Sequence, residues 1–280
     1  MKLLCPECRT KIDFEKLFCQ NGHKFFFDED VLILLENNFS SKLNSFLKTL
    51  EKIRFKENRV VSISNLFQKL PFVLQSEIEW KVRCFDLEVL EKFLPNENLK
   101  ILEIGAWNGW LSNFLAEKKH SVTAVDYFLN EFDGLKAKKF YSNDWTSIQM
   151  NLMDLDLFEE KFDLIIFNRC LQFSPNPFSM FETATNLLSE KGKVFVSGIS
   201  VFKNANSKIN EIERFKENYR REWVFEIFLN PTKGFFDVED KIRFEKIGLE
   251  FEKYPQLFKQ NLKATFVSEL PKHYYGIFRK

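Results

Sequence analysis

The 280-residue sequence lacks an excess of charge of either sign, because 41 lysines and arginines face 40 aspartates and glutamates. The resulting net charge of +1 provides no overall attraction to nucleic acid or to acidic lipid. Long apolar runs are also absent. The stretch around 25–35 is broken by three acidic residues, whereas a bilayer span needs about 18 to 20 apolar residues. We therefore expect no membrane partner.

The first residues lack the apolar core of a signal peptide, because Lys2 and two leucines are followed at once by Cys5 and Pro6. We therefore expect a cytoplasmic protein. Apolar residues make up 45% of the chain and charged residues 29%, which excludes a mainly disordered protein. The length suits one large α/β domain with a small appendage, or two modest domains.

Three of the five cysteines lie near the start of the chain, next to a histidine. Cys5 and Cys8 form a C-x2-C pair, and after ten intervening residues Cys19 and His23 form a C-x3-H pair. This spacing offers three thiolates and an imidazole to one tetrahedral ion, which favours Zn2+. Four protein ligands leave no open coordination position, so the predicted role is structural. A module of about 35 residues would depend on the metal for most of its stability.

A disulfide and a redox pair are the alternatives for these cysteines. The expected cytoplasmic location argues against the disulfide, and the lack of a surrounding βαβ pattern argues against the redox pair. The remaining two cysteines, Cys84 and Cys170, are predicted to be small buried apolar residues.

Two helices are predicted before residue 100. The first covers 41–56 and has its apolar residues at helical spacing, at Leu43, Phe46, Leu47, Leu50 and Ile53. Its basic residues are interpreted as a solvated helix face, with a nucleic-acid contact as the alternative. The second helix is predicted to start at a capping box formed by Ser76 and Glu79 and to end at 94–96. Its apolar stripe consists of Ile78, Val82, Phe85, Val89 and Phe93.

From Lys100 onward, short apolar strands alternate with helices. Strands are predicted at 100–104, 121–126, 147–152, 162–168, 193–199, 249–254 and 273–279. Helices are predicted at 108–118, 134–140, 177–189 and 237–247. Nearly all-apolar strands separated by helices indicate an α/β fold with a mostly parallel sheet, covered by helices on both faces. A basic segment at 203–221 either covers a bound acceptor or is a solvated helix.

One strand-to-helix junction has the features of a nucleotide-binding site. A strand ends at Ile104, glycines follow at Gly105 and Gly109, and a helix begins. Glycine lets the backbone pass close to a nucleotide, and the start of a helix offers free N–H groups. Asp126 ends the next strand, twenty-one residues after Gly105. A carboxylate at that point can accept hydrogen bonds from both ribose hydroxyls of an adenosine.

The segment 102–112 resembles the first motif of class I S-adenosylmethionine-dependent methyltransferases, an acidic residue followed by Gly-x-Gly-x-Gly. The dehydrogenase pattern Gly-x-Gly-x-x-Gly does not fit. The resemblance covers about 76–280 and includes the segments 79–83, 133–135, 162–168 and 187–193. The cysteine segment resembles the zinc-binding segment of some 23S rRNA guanine methyltransferases, whereas the rest of the chain is more similar to an uncharacterised group.

This resemblance implies a Rossmann-like, seven-stranded sheet and S-adenosylmethionine as cofactor. It also implies three parts: a zinc-ribbon-like module (1–35), a helical connecting segment (36–98) and a class I methyltransferase domain (99–280).

Within the motif, Glu103 would orient the loop or reach the methionine amino group. Gly105 and Gly109 would admit the cofactor, with Ala106 and Trp107 between them. Trp107 replaces the middle glycine of the family, so its indole either packs away from the cofactor or fills its place. We expect it to pack away.

The resemblance places four further residues around the cofactor, together with Asp126 at the ribose. Tyr127 follows Asp126. Asn151 would lie near the adenine amino group, and the N–H of Leu152 would face a ring nitrogen. Asn168 would lie beside the methionine moiety and the acceptor.

No catalytic residue is assigned. A methyl sulfonium is already activated, so a base is needed only if the acceptor must lose a proton. Segment 168–171 also lacks the Asn/Asp-Pro-Pro-aromatic sequence that related enzymes use on the amino groups of bases.

Methyl transfer to a small molecule or biosynthetic intermediate is the favoured function. An rRNA or tRNA methyltransferase that grips RNA with the zinc module is the first alternative. Five cations face six acids in 1–35, and this net charge of −1 disfavours RNA. A non-catalytic, partner-binding protein with a vestigial methyltransferase fold is the second alternative, suggested by Trp107 and the missing base. The sequence does not predict the oligomeric state.

Overall fold

The computed structural model of the protein describes residues 1–95 and 97–280. Asn96, the last residue of the predicted 94–96 turn, lies outside the described residues. The strands are β1 (Ile12–Asp13), β2 (Phe18–Cys19), β3 (Phe26–Asp28), β4 (Val31–Leu34), β5 (Lys100–Ile104), β6 (Ser121–Asp126), β7 (Thr146–Met150), β8 (Phe162–Phe167), β9 (Leu188–Phe202), β10 (Phe236–Asp237), β11 (Glu250–Lys253) and β12 (Lys272–Arg279).

The α-helices are α1 (Asn37–Lys56), α2 (Ile78–Leu90), α3 (Trp110–Glu117), α4 (Pro177–Asn186), α5 (Ala205–Trp223), α6 (Val238–Lys246) and α7 (Phe258–Phe266). Short 3-10 helices occupy Ser64–Lys69, Phe72–Leu74, Glu91–Phe93, Leu135–Phe140, Leu155–Leu157, Leu171–Phe173 and Pro255–Leu257. In the part of the chain that the structure describes, no helix is long and apolar enough to cross a bilayer.

One large sheet organises the molecule. Its strand order is β11-β12-β9-β8-β5-β6-β7-β4-β3, and β10 pairs with β9 beside this path. From β4 to β9 the neighbouring strands are parallel, whereas β12 runs antiparallel to both β9 and β11. The seven predicted strands are all present, so the mostly parallel α/β sheet is confirmed. The implied number of seven strands is wrong, because β3, β4 and β10 also join the sheet and bring it to ten strands in the described part of the chain. The predicted 134–140 helix is a 3-10 helix.

Helices cover both faces of the sheet, as the apolar strands predicted. Side chains point to alternate faces along a strand. In β8, Ile165 and Phe167 join the core that contains α4, whereas Leu164 and Ile166 join the core that contains α2 and α3. Because each face is buried, the strands need apolar residues at consecutive positions.

The N-terminal segment contributes strands to the large sheet. β1 and β2 form a separate hairpin, but β3 and β4 extend the sheet beyond β7, with Leu34 opposite Met150. The sequence analysis assigned no strand here. Val31–Leu34 is a short apolar run without alternation, and such a run does not show its conformation without its partner strand.

Helix α2 buries only part of the predicted stripe: Val89 is fully buried, and Phe85 and Phe93 pack against the core. Ile78, which began the predicted stripe, is 73% exposed. The buried apolar residues of the helix are Trp80, Cys84, Leu87, Val89 and Leu90. The predicted capping box at Ser76 is also wrong, because the helix follows Glu77 and no side chain caps it.

Candidate functional site

The turn after β5 requires both of its glycines. Gly105 and Gly109 each have φ of +79°, a conformation that favours glycine. A Cβ on Gly105 would lie 2.7 Å from Cβ of Cys170, and a Cβ on Gly109 would lie 2.7 Å from the Trp145 ring. The N–H of the buried Ala106 donates to the carbonyl oxygen of Val125. The turn therefore packs closely against β6 and the loop after β8.

Trp107 holds an unusual position in this turn. It has φ of +51°, and its indole stacks on Trp80 with the ring centroids 5.4 Å apart. The indole N–H donates to Oδ1 of Asp133 at 2.6 Å. Arg83 lies over the same indole, 4.8 Å from its centroid. The ring is thus held against α2 and the loop after β6.

Asp126 is a buried carboxylate at the end of β6. Its two oxygens accept hydrogen bonds from the backbone N–H groups of Trp107 at 2.7 Å and Phe128 at 3.0 Å. Burial raises its pKa to about 6, although these N–H groups lower it. No cation pairs with this carboxylate within the described residues, and each of its oxygens can accept a further hydrogen bond.

Glu103 lies beneath the turn and is fully buried. The hydroxyl of Ser112 on α3 donates to Oε2, and Nδ2 of Asn168 donates to Oε1 at 2.8 Å. Burial raises its pKa to about 7, while these hydrogen bonds oppose the shift. These contacts join Glu103 to α3 and to the end of β8, and its two predicted roles stay predictions.

The residues predicted for the adenine end lie at the carboxyl ends of β6 and β7. The hydroxyl of Tyr127 donates to Oδ1 of Asn151 at 3.2 Å, and the same oxygen accepts the N–H of Met153. Asn151 therefore uses its carbonyl oxygen to shape its own loop. Leu152 and Tyr127 border the cavity described next.

A cavity of about 1050 Å3 opens at the carboxyl edge of the sheet. Six residues of the predicted site border it: Gly105, Trp107, Asp126, Tyr127, Leu152 and Asn168. The other four, Glu103, Ala106, Gly109 and Asn151, are not among the described residues that line it. Across the cavity stands an apolar wall made by Phe46, Leu50, Ile212, Phe215 and Phe228.

Helix α5 forms part of this wall. Ile212 and Phe215 border the cavity, and so do the charged residues Lys208, Glu211 and Arg214. The 203–221 segment therefore forms a helix with many exposed charged residues, and its role in covering an acceptor stays a prediction. Cys170 also borders the cavity and is partly exposed, so the prediction that it is buried is wrong; Cys84 is buried, as predicted.

Five arginines border the cavity, and the sequence analysis assigned none of them to the cofactor site: Arg54, Arg59, Arg83, Arg169 and Arg214. Arg54 pairs with the buried carboxylate of Asp133, so its interpretation as part of a solvated helix face is wrong. Arg169 pairs with Asp86 at 2.7 Å. Arg83 lies within 4 Å of no carboxylate in the described chain. Burial and the charge of Arg169 lower the pKa of the Arg83 guanidinium to about 10.

Arg169 is positioned by a buried network. Asp86 accepts hydrogen bonds from Nη1 of Arg169 and from the hydroxyl of Tyr254, which in turn accepts the N–H of Gly198. The neighbouring carboxylate of Asp86 raises the pKa of Arg169 against the opposing effect of burial. The sequence contained one indication of this network, because the predicted amphipathic helix includes the charged residues Arg83 and Asp86.

The four predicted metal ligands converge. The Sγ atoms of Cys5, Cys8 and Cys19 and a ring nitrogen of His23 lie within 4.8 Å of one another. Sγ of Cys8 is 3.6 Å from Sγ of Cys19, which is 3.4 Å from Nδ1 of His23. A tetrahedral zinc with Zn–S bonds of about 2.3 Å places its sulfurs about 3.8 Å apart, so the cluster has dimensions suited to that ion.

This cluster packs against the loop that follows β7. The N–H of Leu4 donates to the carbonyl oxygen of Leu157 at 2.9 Å. Arg9, between Cys8 and Thr10, pairs with Asp154 at 3.3 Å and with Asp156 at 2.9 Å. The cysteine segment thus contacts the loop that begins at Asn151.

The parallel sheet, its glycine turn and the buried Asp126 define a Rossmann-like nucleotide-binding fold. A family model described as a methyltransferase domain matches residues 49–230. The chain belongs to this methyltransferase-domain family, which confirms the resemblance of its main domain to methyltransferases. The resemblance of the cysteine segment to a zinc-binding segment stays a prediction.

Two curated relatives are ubiquinone biosynthesis O-methyltransferases. The protein from Hydrogenovibrio crunogenus is 29% identical over 125 residues, which are 43% of this chain and 51% of that protein. The one from Glaesserella parasuis is 30% identical over 109 residues, 36% of this chain and 45% of that protein. The chain spans about half the length of these relatives.

Among solved structures, the chain is similar to an S-adenosylmethionine-dependent methyltransferase from Mesorhizobium loti. The two are 16% identical, the match covers 70% of this chain and 98% of that one, and the TM-score is 0.46.

Proposed function

We propose that the protein is an S-adenosylmethionine-dependent methyltransferase that acts on an oxygen of a small-molecule acceptor. The observation that carries this proposal is the composition of one cavity. On the side of the glycine turn, the cavity is bordered by the buried carboxylate of Asp126, which has no cation partner in the described chain. On the opposite side, it is bordered by the apolar wall that α1 and α5 contribute to. The family match and the names of the two curated relatives support the same class of reaction.

The residues present suit this cofactor. Asp126 would accept the ribose hydroxyls, because its oxygens retain acceptor capacity and its burial disfavours an unpaired charge. Leu152 would contact the adenine. Arg83, whose guanidinium lacks a carboxylate partner in the described chain, would pair with the carboxylate of the methionine moiety. Trp107 borders the cavity with its indole packed on Trp80, and this packing supports the expectation that the cofactor has room beside it.

The protein's own contribution to the reaction is alignment. When bound, S-adenosylmethionine supplies a methyl group already activated on a sulfonium. The apolar wall would hold the body of the acceptor and exclude water. Arg169 would stabilise the ionised form of an acceptor hydroxyl, since a nearby cation lowers the pKa of such a group. None of the described residues that line the cavity is a histidine.

Calorimetry with S-adenosylhomocysteine tests the proposal. We expect micromolar binding by the full chain, and the same experiment on an Asp126→Ala variant should show a much weaker interaction. The absence of heat at millimolar ligand would refute cofactor binding. Methylation assays with phenolic and aliphatic hydroxyl compounds would then separate acceptor classes.

We propose further that Cys5, Cys8, Cys19 and His23 bind one structural Zn2+. Three thiolates and an imidazole match the ligand preference of zinc, and the cluster has tetrahedral dimensions. We retain 1–35, 36–98 and 99–280 as the proposed parts of the chain. The reduced thiols that zinc requires suit a cytoplasmic location. Metal analysis should return about one zinc per chain, and a Cys5→Ser variant should lose it.

A further inference from the structure

Helix α7 presents an apolar stripe to solvent. Phe258, Leu262 and Phe266 are four residues apart, so they lie on one side of the helix. They are 66%, 50% and 82% exposed. Three large apolar side chains exposed side by side on a nine-residue helix are unusual, because isolated exposed apolar residues are common but contiguous ones mark interaction sites.

The opposite side of α7 fixes the direction of this stripe. Asn261 is buried, and its side chain donates to the carbonyl oxygen of His273 and accepts the N–H of the same residue at 2.7 Å. Ala264 is also fully buried. Because both residues anchor the helix to β12, the stripe cannot turn inward without breaking these contacts.

Five lysines surround the stripe. Lys259 and Lys263 are exposed on α7 itself, and Lys203, Lys253 and Lys272 lie close to it in the fold. No carboxylate lies within 4 Å of any of these five in the described part of the chain. Lys272 pairs with Val201, two residues before Lys203, and Lys253 pairs with Tyr274, two residues after Lys272, so the three cations lie at one end of neighbouring strands. Burial and the charges of Lys203 and Lys253 lower the pKa of Lys272.

The acidic residues nearby offset these charges only in part. Glu250 pairs with Arg279, whereas Glu252 and Glu269 have no cation partner in the described part of the chain, and the hydrogen bond from Ser268 leaves the charge of Glu269 in place. Among the described residues, five lysines therefore face two unpaired carboxylates. The region therefore combines exposed apolar residues with an excess of free cations, although the whole chain has a net charge of only +1.

The stripe lies toward the same edge of the sheet as the cavity. Lys272 at the start of β12 pairs with Val201 near the end of β9, and Lys203 donates to the carbonyl oxygen of Thr265 on α7. Asp126 and Asn168 also stand at the carboxyl ends of their strands. A surface that covers α7 would therefore lie on the side of the molecule where the site opens.

We propose that the exposed face of α7, formed by Phe258, Leu262, Phe266, Lys259 and Lys263, docks on an anionic lipid surface. Apolar side chains beside lysines are the pattern by which short amphipathic helices lie at the boundary of headgroups and acyl chains. The free lysines favour anionic over zwitterionic lipid. This proposal departs from the expectation of no membrane partner, which rested on the overall charge balance.

Co-sedimentation of the full chain with lipid vesicles tests the proposal. We expect binding to vesicles that contain phosphatidylglycerol, little binding to pure phosphatidylcholine, and weaker binding as salt increases. The double variant K259E/K263E should bind about 25-fold more weakly or worse, at about fivefold for each lysine near an anionic surface. The triple variant F258S/L262S/F266S should lose binding even at low salt.

Matched controls separate the α7 face from general effects of charge and hydrophobicity. K48E/K52E reverses two exposed lysines four residues apart on α1, and Val224→Ser removes an apolar residue that is 93% exposed elsewhere. Both should bind vesicles like the wild type. Thermal unfolding and S-adenosylhomocysteine affinity should be unchanged in every variant, which keeps this test separate from the proposed activity.

Three results would overturn the proposal. They are equal binding to neutral vesicles, unchanged vesicle binding in both α7 variants, and self-association that the triple variant abolishes in a chain that does not bind vesicles. The last result would assign the stripe to a second copy of the protein.

Discussion

The indole N–H of Trp107 donates a hydrogen bond to Oδ1 of Asp133, and Arg54 pairs with the same buried carboxylate. With the stack on Trp80, these contacts hold the ring between α1, α2 and the loop after β6. The backbone N–H of Trp107 meanwhile reaches Asp126. A bulky residue can therefore occupy the position of the family's middle glycine while its backbone still shapes the turn.

A Trp107→Phe substitution tests this arrangement. Phenylalanine keeps the stack on Trp80 but removes one hydrogen bond to the buried Asp133, so we expect a loss of about 1–3 kcal/mol in the free energy of unfolding. Urea titration measures this loss. S-adenosylhomocysteine affinity should stay close to that of the wild type. A large loss of affinity with unchanged stability would instead show that the indole contacts the ligand.

The ribose assignment predicts a specific defect in Asp126→Ala. Removing a charged acceptor should weaken S-adenosylhomocysteine binding by about 1–3 kcal/mol, measured by calorimetry. Wild-type affinity in this variant would refute the assignment.

The pH dependence of binding provides a second measurement on the same residue. Ribose hydroxyls donate to the ionised carboxylate, and the pKa of Asp126 in the free protein is raised to about 6. Binding should therefore weaken about tenfold for each pH unit below about 6 and level off above about 7. Asp126→Asn cannot ionise, so its weaker binding should not change through this window. A parallel pH dependence in both proteins would contradict the prediction.

Arg83→Gln should weaken the binding of ligands that contain the methionine carboxylate and leave the binding of the adenosine half unchanged. Because Arg83 is proposed to pair with the methionine carboxylate, the variant should bind S-adenosylhomocysteine about 1.5–3 kcal/mol more weakly, the range for hydrogen bonds to a charged group. 5′-Methylthioadenosine has no carboxylate and should bind both proteins equally. Arg279→Gln serves as control, since Arg279 is exposed, pairs with Glu250 and is not among the residues that line the cavity. Equal losses for both ligands would point to a structural role for Arg83.

The raised pKa of Glu103 predicts a stability that depends on pH. Its pKa rises from 4.5 to about 7 on folding, so the folded state binds the proton more tightly. This tighter proton binding adds about 3 kcal/mol to the free energy of unfolding. The contribution is fully present below about pH 4.5 and is lost as pH rises through about 7. Glu103→Gln should remove this part of the decline in urea titrations across that range. An unchanged pH profile would show that Glu103 ionises normally.

Loss of the proposed zinc should also weaken cofactor binding, because the cysteine segment contacts the loop that begins at Asn151. Arg9, next to Cys8, pairs with Asp154 and Asp156 just beyond Asn151. Cys8→Ser should therefore lose zinc and also bind S-adenosylhomocysteine more weakly. Cys84→Ser, at a buried cysteine outside the cluster, should retain both. Full affinity in a zinc-free Cys8→Ser protein would show that the two sites are independent.

The comparison of α1 and α2 shows where sequence patterns succeed. In α1 the apolar residues share one side, and the predicted Leu43, Leu47, Leu50 and Ile53 are all buried. In α2 apolar residues occur on two sides, and the sheet selects the side that contains Trp80. Periodicity identifies a helix in both cases, but it identifies the buried face only when one face is apolar.

The sequence by itself determined seven strands and several helices from residue 100, though not β10 or α7, and it determined the glycine turn with its acidic partner and the spacing of the four metal ligands. Each of these depends on residues close together in the chain. Only the tertiary structure decided that β4 joins β7, that Trp107 packs on Trp80, and that Arg83 and Arg169 meet at one cavity. These contacts join residues far apart in the chain, and local periodicity contains no information about which distant segments pack together.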